Sequence, residues 1–371
     1  MEVQKRHSSQ TTADIHSQTM DDDTLIKFVQ IKQPEIRQLH NGQGNVIRKL
    51  NAGESCLAVI PTGGGKSLLW LLYTAIANSK NSSDRPLCVV LVPYKALILN
   101  HIEASKPWFQ EQEIVSSEDT EAIVSQNIDR ALIVYTTPEK YVRSAAFKRL
   151  IDNQRSRIRL IVYDEVHLLQ EQSKFRPDMV DCVMMLSREF PSTIRLALTA
   201  TQEISQTQSL LRVAQMPQNT SIERCSCNRN NCHIEIVAMR DLKNKQKETQ
   251  FQYDSLDMFQ RFNRAERPQA IIFVISKREA ENLCKALQGL CTQSTQISAD
   301  EITFFHADLD SQARKDKMHG FRAKAILVIV ATTAFGTGVN YPSVRLKLHY
   351  MIPPTLVEYH HFAKNVTIVV C

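Results

Sequence analysis

The sequence predicts an α/β protein built on mostly parallel sheets, and three observations point there. Short apolar runs ending in polar residues recur at 55–60, 86–93, 131–139, 159–163 and 194–201, then again at 270–275, 302–305 and 325–330. Segments of helical pattern lie between them, the alternation that builds strand–helix–strand units with helices on both faces. One run leads directly into Pro61-Thr62-Gly63-Gly64-Gly65-Lys66-Ser67, a strand–loop–helix passage of the kind that holds phosphate.

That loop organises the first half of the chain. It departs from the GxxxxGK[ST] pattern, because Val59 or Ile60 occupies the first glycine position. Its physical requirement is still met. Thr62, Gly63, Gly64 and Gly65 let backbone N–H groups turn toward phosphate oxygens, and the helix at 68–76 presents its positive end. Lys66 is placed to reach the terminal phosphates, and the Ser67 hydroxyl to ligate Mg²⁺. A glycine-rich turn alone would be weaker grounds; the strand before it and the helix after it favour the phosphate reading.

Upstream, 25–40 is expected to be helix interrupted at Pro34, followed by a turn at 41–44 and a helix through 46–50. Downstream, strand 86–93 and helix 94–102 precede strand 131–139. The run at 159–163 then carries Asp164 and Glu165 to the carboxyl end of a strand, where α/β sheets bind ligands. Asp164 is a candidate Mg²⁺ holder. Glu165 is a candidate base for the water that attacks the γ-phosphate. His167, Thr199 and Thr201 stand where they can couple nucleotide state to neighbouring elements.

At 371 residues the chain can form two domains, each with its own core. The boundary is expected near 235/236, after the Asn-, Cys- and Arg-rich stretch 215–231 and before the polar stretch 241–250. Residues 1–23 read as a polar leader, 24–235 as the nucleotide-binding domain and 236–371 as a second α/β domain. The second series has helices at 277–287 and 311–320. It ends in the loop 331–340, whose Thr332, Thr333, Gly336 and Gly338 suit phosphate or backbone contact.

Composition narrows the partners. A net charge of +6 and pI of about 8.8 are compatible with a polyanion. No apolar run approaches the ~18–20 residues of a membrane-spanning helix, so no membrane partner is expected. The N-terminus lacks the apolar core of a secretory signal. Of nine cysteines, Cys56, Cys88, Cys182, Cys284 and Cys291 sit in apolar segments as ordinary core residues. Cys225, Cys227, Cys232 and His233 are spaced unlike paired zinc ligands, so zinc is not expected, and the cysteine usage favours a reducing compartment.

Taken together, these residues resemble the RecQ family of superfamily 2 DNA helicases over roughly 36–359. Gln43 occupies the position of the family's adenine-reading glutamine, with His40 where the family has an arginine. Pro61–Ser67 resembles its nucleotide loop, and Asp164-Glu165-Val166-His167 its D-E-x-H box. Tyr94 and Lys95 replace small residues in a segment that contacts single-stranded DNA; Thr137-Pro138-Glu139 resembles the next contact motif. Phe175-Arg176-Pro177, Thr199-Ala200-Thr201 and Arg229/Asn231 match the elements that follow. In the second half, 272–278, Phe305-His306-Ala307 and 331–345 match the family order. A closer likeness to fungal subtelomeric RecQ-like helicases is one further expectation.

The resemblance implies tandem RecA-like domains of a superfamily 2 helicase core, with ATP and Mg²⁺ as cofactors and DNA, single-stranded or at duplex junctions, as partner. It also implies 3′–5′ unwinding, a monomer and a nuclear location. It assigns Lys66, Asp164 and Glu165 to catalysis, and Tyr94, Lys95, Thr137, Arg176, Thr332 and Thr333 to DNA. Three departures accompany it. The loop 168–174 is one residue shorter than the family's and carries no aromatic. The segment after Tyr359 reads His360-His361-Phe362-Ala363-Lys364 instead of the family's Gly-Arg-x-Gly-Arg. The zinc-binding and winged-helix regions do not follow. On these grounds the second domain is expected to be incomplete, and the alternative expectation is a module that binds ATP and nucleic acid without unwinding. A metabolic P-loop kinase is disfavoured, since the D-E-x-H strand end has no role there.

Overall fold

Alternation within the apolar runs decides the architecture. Along the strand that precedes the glycine loop, Cys56, Ala58 and Ile60 pack into one core while Leu57 and Val59 pack into another. The same split holds for Cys88 and Val90 against Val89 and Leu91, and for Leu160 and Val162 against Ile161 and Tyr163. Successive side chains of a strand point to opposite faces, so a run apolar at every position is a strand covered on both sides. Helices must therefore lie on both faces.

The computed structural model describes residues 21–40, 42–61, 63–80, 84–173, 175–200, 202–226, 234–236, 244–261, 264–291, 297–332, 335, 343–350 and 367–370. The chain divides into two compact units, 1–227 and 228–371. The expected joint at 235/236 lies just inside the second.

Among the described residues the first unit holds β1 (Cys56–Val59), β2 (Leu87–Leu91), β3 (Ile114–Ser116), β4 (Ile133–Thr136), β5 (Ile158–Tyr163), β6 (Ile194–Thr199) and β7 (Ser221–Arg224). They form one sheet in the order β3-β4-β2-β5-β6-β1-β7, with every pairing parallel. Its helices are α1 (Asp22–Lys32), α2 (Gln43–Asn51), α3 (Lys66–Lys80), α4 (Lys95–Ser105), α5 (Glu121–Asn127), α6 (Pro138–Arg143), α7 (Ala145–Asp152), α8 (Leu168–Glu171), α9 (Pro177–Glu189) and α10 (Thr207–Val213). Because all strands run one way, every strand's carboxyl end lies on one edge, where β1, β5 and β6 are neighbours. Lys66, Asp164 and Thr199 meet there for that reason.

Two local readings change. The leader expected over 1–23 ends sooner, since Asp21 accepts a hydrogen bond from Thr24 N at 2.8 Å and caps α1. The helix expected through 25–40 stops at Lys32, ahead of Pro34.

The second unit repeats the plan with β8 (Ile234–Ile236), β9 (Gln269–Phe273), β10 (Ile302–Phe305), β11 (Val328–Ala331), β12 (Val344–His349) and β13 (Thr367–Val370) in the parallel order β10-β11-β9-β12-β13-β8. Its helices are α11 (Asn244–Gln260), α12 (Lys277–Leu290) and α13 (Ser311–Arg322). Of the polar stretch 241–250, residues 244–250 belong to α11. Phe251, Ser255 and Phe259 fall one helical turn apart and are all buried, a stripe too sparse to outweigh the charged residues around it.

Candidate functional site

The glycine loop leaves β1 at Ile60, whose N–H donates to Thr199 O at 2.9 Å, so its start is pinned to the β6 strand end. Gly63 (φ +82°) and Gly65 (φ +71°) adopt left-handed backbone that other residues enter at a cost. At Gly64 an added Cβ would lie 2.7 Å from Ile60 Cγ2 and 2.9 Å from Pro61 O. Each of the three glycines is thus required geometrically, by left-handed backbone at 63 and 65 and by close packing at 64. It opens into α3, fifteen residues long, with half-buried Ser67 in its first turn. Thr62 lies outside the described residues.

Gln43, buried at the start of α2, braces this loop. Its Nε2 donates to Gly64 O at 3.0 Å and Gly65 O at 3.1 Å, while its Oε1 accepts from His40 N at 2.8 Å. Both amide protons are thus directed at the loop, and Oε1 retains one lone pair. His40 contributes through its backbone, which explains how an arginine position accommodates histidine without losing this bracket.

The acidic pair sits where the β5 run predicted. Asp164 N donates to Leu91 O at 3.0 Å and Val166 N to Leu198 O at 2.8 Å, tying the strand end to β2 and β6. Glu165 takes φ +49°, a left-handed conformation that a non-glycine residue adopts only when its surroundings impose it. The outcome is that Lys66 Nζ lies 2.8 Å from Glu165 Oε1, with both side chains largely screened from solvent. His167 Nδ1 lies 3.6 Å from Glu165 Oε2 and 3.0 Å from Thr199 Oγ1. His167 thus links Thr199 to Glu165. Thr201 lies outside the described residues.

One residue that sequence reasoning missed belongs to this cluster. His101 on α4 places Nε2 3.1 Å from Asp164 Oδ2. A signal existed: Leu97, His101 and Ser105 are spaced by four and share one helix face. Its target, however, comes from another strand, and spacing carries no such information.

A second group lies at the ends of β2 and β4. Tyr94, Lys95, Thr137 and Arg176 line one open cavity of about 440 Å³, joined by the unpredicted Lys140 and Arg143. Arg176 Cζ lies 5.0 Å from the Tyr94 ring centroid, and Gln172 Nε2 donates to Tyr94 OH at 2.8 Å. Arg176 also donates to Glu139 Oε1 at 2.7 and 2.9 Å and to Pro93 O at 2.6 Å. Thr137 is buried, and its Oγ1 accepts from Lys140 N at 3.3 Å as the cap of α6. In the second unit Thr332 lines a separate cavity of about 450 Å³ with Ile275, Ser276, Lys277, Arg278 and Ala307. Thr333, Gly336, Gly338, Arg229, Asn231 and Lys364 lie outside the described residues, as do Cys227, Cys232 and His233 of the cysteine cluster.

The donor set suits a magnesium–triphosphate. Among the described residues no three His, Cys, Asp or Glu side chains gather as a metal cage. An octahedral Mg²⁺ held by one carboxylate and one hydroxyl, with water and phosphate completing its ligands, needs no such cage.

Comparison with known proteins agrees with this geometry. The DEAD/DEAH box helicase family matches residues 40–210, and the helicase conserved C-terminal domain matches 252–364. The chain is 26% identical over 334 residues to the ATP-dependent DNA helicase Q-like 4B of Arabidopsis thaliana, covering 86% of this chain and 26% of that protein. It is 24% identical over 332 residues to the ATP-dependent DNA helicase RecQ of Haemophilus influenzae, covering 87% of this chain and 48% of that one. The chain thus spans about half or less of the length of these relatives. Among solved structures, the DUF1998 helicase MrfA bound to DNA superposes with a TM-score of 0.72 at 16% identity, over 95% of this chain and 51% of that one. The two matched domains imply ATP binding. The two matched domains are those of a helicase core, and RecQ-type DNA helicases are among the proteins this chain resembles.

Proposed function

We propose that the chain is the motor of an ATP-dependent DNA helicase of RecQ type, translocating 3′ to 5′ on DNA in the nucleus. The observation that carries this reading is the convergence of Lys66 and Glu165 at 2.8 Å, from elements far apart in sequence. A lysine that follows a glycine loop and an acid that follows Asp164 then share one strand-end site, as phosphoryl transfer to water requires.

The roles follow from the contacts. The loop's N–H groups and the start of α3 attract phosphate oxygens. Triphosphate binding draws Lys66 Nζ from Glu165 to phosphate, because a more highly charged acceptor enters its reach. Glu165, relieved of the lysine, is then the base within the site that can orient water and take its proton. Asp164 and Ser67 would hold Mg²⁺, which when bound neutralises charge on the phosphates. His167, between Glu165 and Thr199, reports the state of the acid to the β6 strand end. The Oε1 lone pair left on Gln43 suits the adenine amino group, which would link base identity to the loop that Gln43 braces.

DNA is the partner that the cavity at Tyr94 supports. Lys95, Lys140, Arg143 and Arg176 supply cations for a phosphate backbone, and Tyr94 supplies a ring for a base. The test is ATP hydrolysis with and without single-stranded DNA. Hydrolysis stimulated by DNA and reduced by about 10²–10⁴-fold in Glu165→Gln, with ATP still bound, is the expected result. Binding of both ligands without DNA-stimulated turnover, and no change in Glu165→Gln, would support a binding module instead.

A further inference from the structure

Asp164 does not hold its orientation alone. Its Oδ1 accepts from Glu165 N at 3.1 Å, and its Oδ2 lies 3.1 Å from His101 Nε2. A carboxylate only accepts, so this contact places a proton on Nε2. With one donor on each oxygen the plane of the carboxylate is fixed, and each oxygen keeps a lone pair.

His101 is itself unusually well anchored. Its ring stacks on Tyr135 with centroids 5.7 Å apart at 13°, and meets the edge of Trp70 at 5.2 Å and 74°. Trp70 and Tyr135 are fully buried. Donor logic gives their hydrogen bonds a direction. Trp70 Nε1 can only donate, and it reaches Tyr135 OH at 3.1 Å. Ser105 Oγ gives its proton to His101 O at 2.8 Å, so Tyr135 OH donates to Ser105 Oγ at 2.7 Å. Burial raises the Tyr135 phenol far above its ordinary value, which keeps that donor protonated. The chain of bonds runs from α3, which begins at Lys66, through β4 and α4 to the β5 strand end. Satisfied polar groups inside an apolar core specify one arrangement.

We propose that His101 is a positioning residue for the divalent cation. By fixing the Asp164 carboxylate it sets the orientation in which that oxygen pair can hold the metal of a bound nucleotide. The proposal rests on Asp164 being the metal-holding carboxylate. Groups that orient a metal-binding carboxylate from behind typically change metal affinity by about 10–100-fold when removed.

The experiment measures ATP binding, not turnover. For the full chain, the ratio of ATP dissociation constants in EDTA and in saturating Mg²⁺ gives the gain due to metal. His101→Phe keeps a ring against Tyr135 and Trp70 but removes the donor. His101→Gln keeps an N–H at similar reach but removes the ring. The expected result is a metal gain about 10-fold smaller in the Phe variant and largely restored in the Gln variant. Thermal stability should follow the opposite order, with the Gln variant melting lower. If the Phe variant folds poorly, His101→Asn, whose amide is too short to reach Asp164, takes its place with the same expected loss. A full metal gain in the variant lacking the donor overturns the proposal, as does a gain that falls in step with stability in both. Asp164→Asn separates the two layers. If it retains the metal gain, the assignment of Asp164 fails and this proposal with it; if it loses the gain while His101→Phe retains it, only the role of His101 fails.

Discussion

At the ends of β5 and β6 in the first sheet the polar side chains are buried and bonded to one another, whereas the residues that follow β9 in the second sheet line an open cavity. Asp164, His167 and Thr199 are nearly inaccessible, and each has a named partner. Ser276, Lys277 and Arg278, which follow β9, line open space: Lys277 pairs with Asp308 and Ser276 caps α12 with Glu279, while the neighbouring Ile275 is 63% exposed. The two sheets share a plan, so the fold alone does not dictate this contrast. A buried charged group is tolerated only with partners. The groups at the ends of β5 and β6 are therefore held in one geometry by their partners, while those after β9 keep open space beside them.

That contrast can be broken by comparing one residue from each unit. Tyr94→Ala should weaken single-stranded DNA binding by about 5- to 150-fold, the ~1–3 kcal/mol of one stacked base. Lys277→Ala should instead lower affinity evenly across sequences and reduce the salt slope by about one phosphate. Fluorescence anisotropy over a salt series reads both, and equal effects from the two substitutions would erase the distinction.

Gly64→Ala drives a methyl against Ile60 Cγ2 and the Pro61 carbonyl, and should destabilise the first unit by about 1–3 kcal/mol. Gly289→Ala on α12 meets nothing within 4 Å and should stabilise the second unit by about 0.5–1 kcal/mol. Denaturant unfolding of each variant decides the signs.

The smallest expected effect depends on pH. His349, at the end of β12, stacks on Phe273 with centroids 5.0 Å apart, and burial lowers its pKa from 6.5 to about 4. The unfolded chain takes a proton below about 6.5 that the folded unit refuses until about 4. Stability contributed here is complete above that window and declines as pH falls through it. His349→Phe should flatten the decline in unfolding experiments across the window, and an unchanged slope would exclude His349 as its source.

How much of this was legible depended on whether a residue's partner lay nearby in sequence. Continuous apolar runs announced β1, β2, β4, β5 and β6, because strands covered on both faces need no polar alternation. β7 went unread: Ser221, Ile222, Glu223 and Arg224 form a sheet edge with no apolar run. β3 spans only Ile114–Ser116, too short for any period. At the site, Gly63–Gly65, Lys66, Asp164 and Glu165 were readable because backbone freedom and strand ends are local properties. His101, Gln172 and Lys140 were not, since what makes them matter is a carboxylate, a phenol and a cavity supplied by other elements. Gln43 was readable as a position, while its grip on Gly64 and Gly65 emerged only once α2 was placed against the loop.

Equilibrium binding of a fluorescent ATP analogue to the wild-type chain and to Lys66→Ala tests whether the strand-end site of the first sheet holds a triphosphate through Lys66. Loss of a charge-assisted contact should weaken binding by about 10- to 150-fold, corresponding to ~1.5–3 kcal/mol, and the nucleotide-free chain should melt lower because Glu165 loses its cation. Equal affinity in the two proteins, each shown to be folded, would mean that Lys66 does not hold the triphosphate.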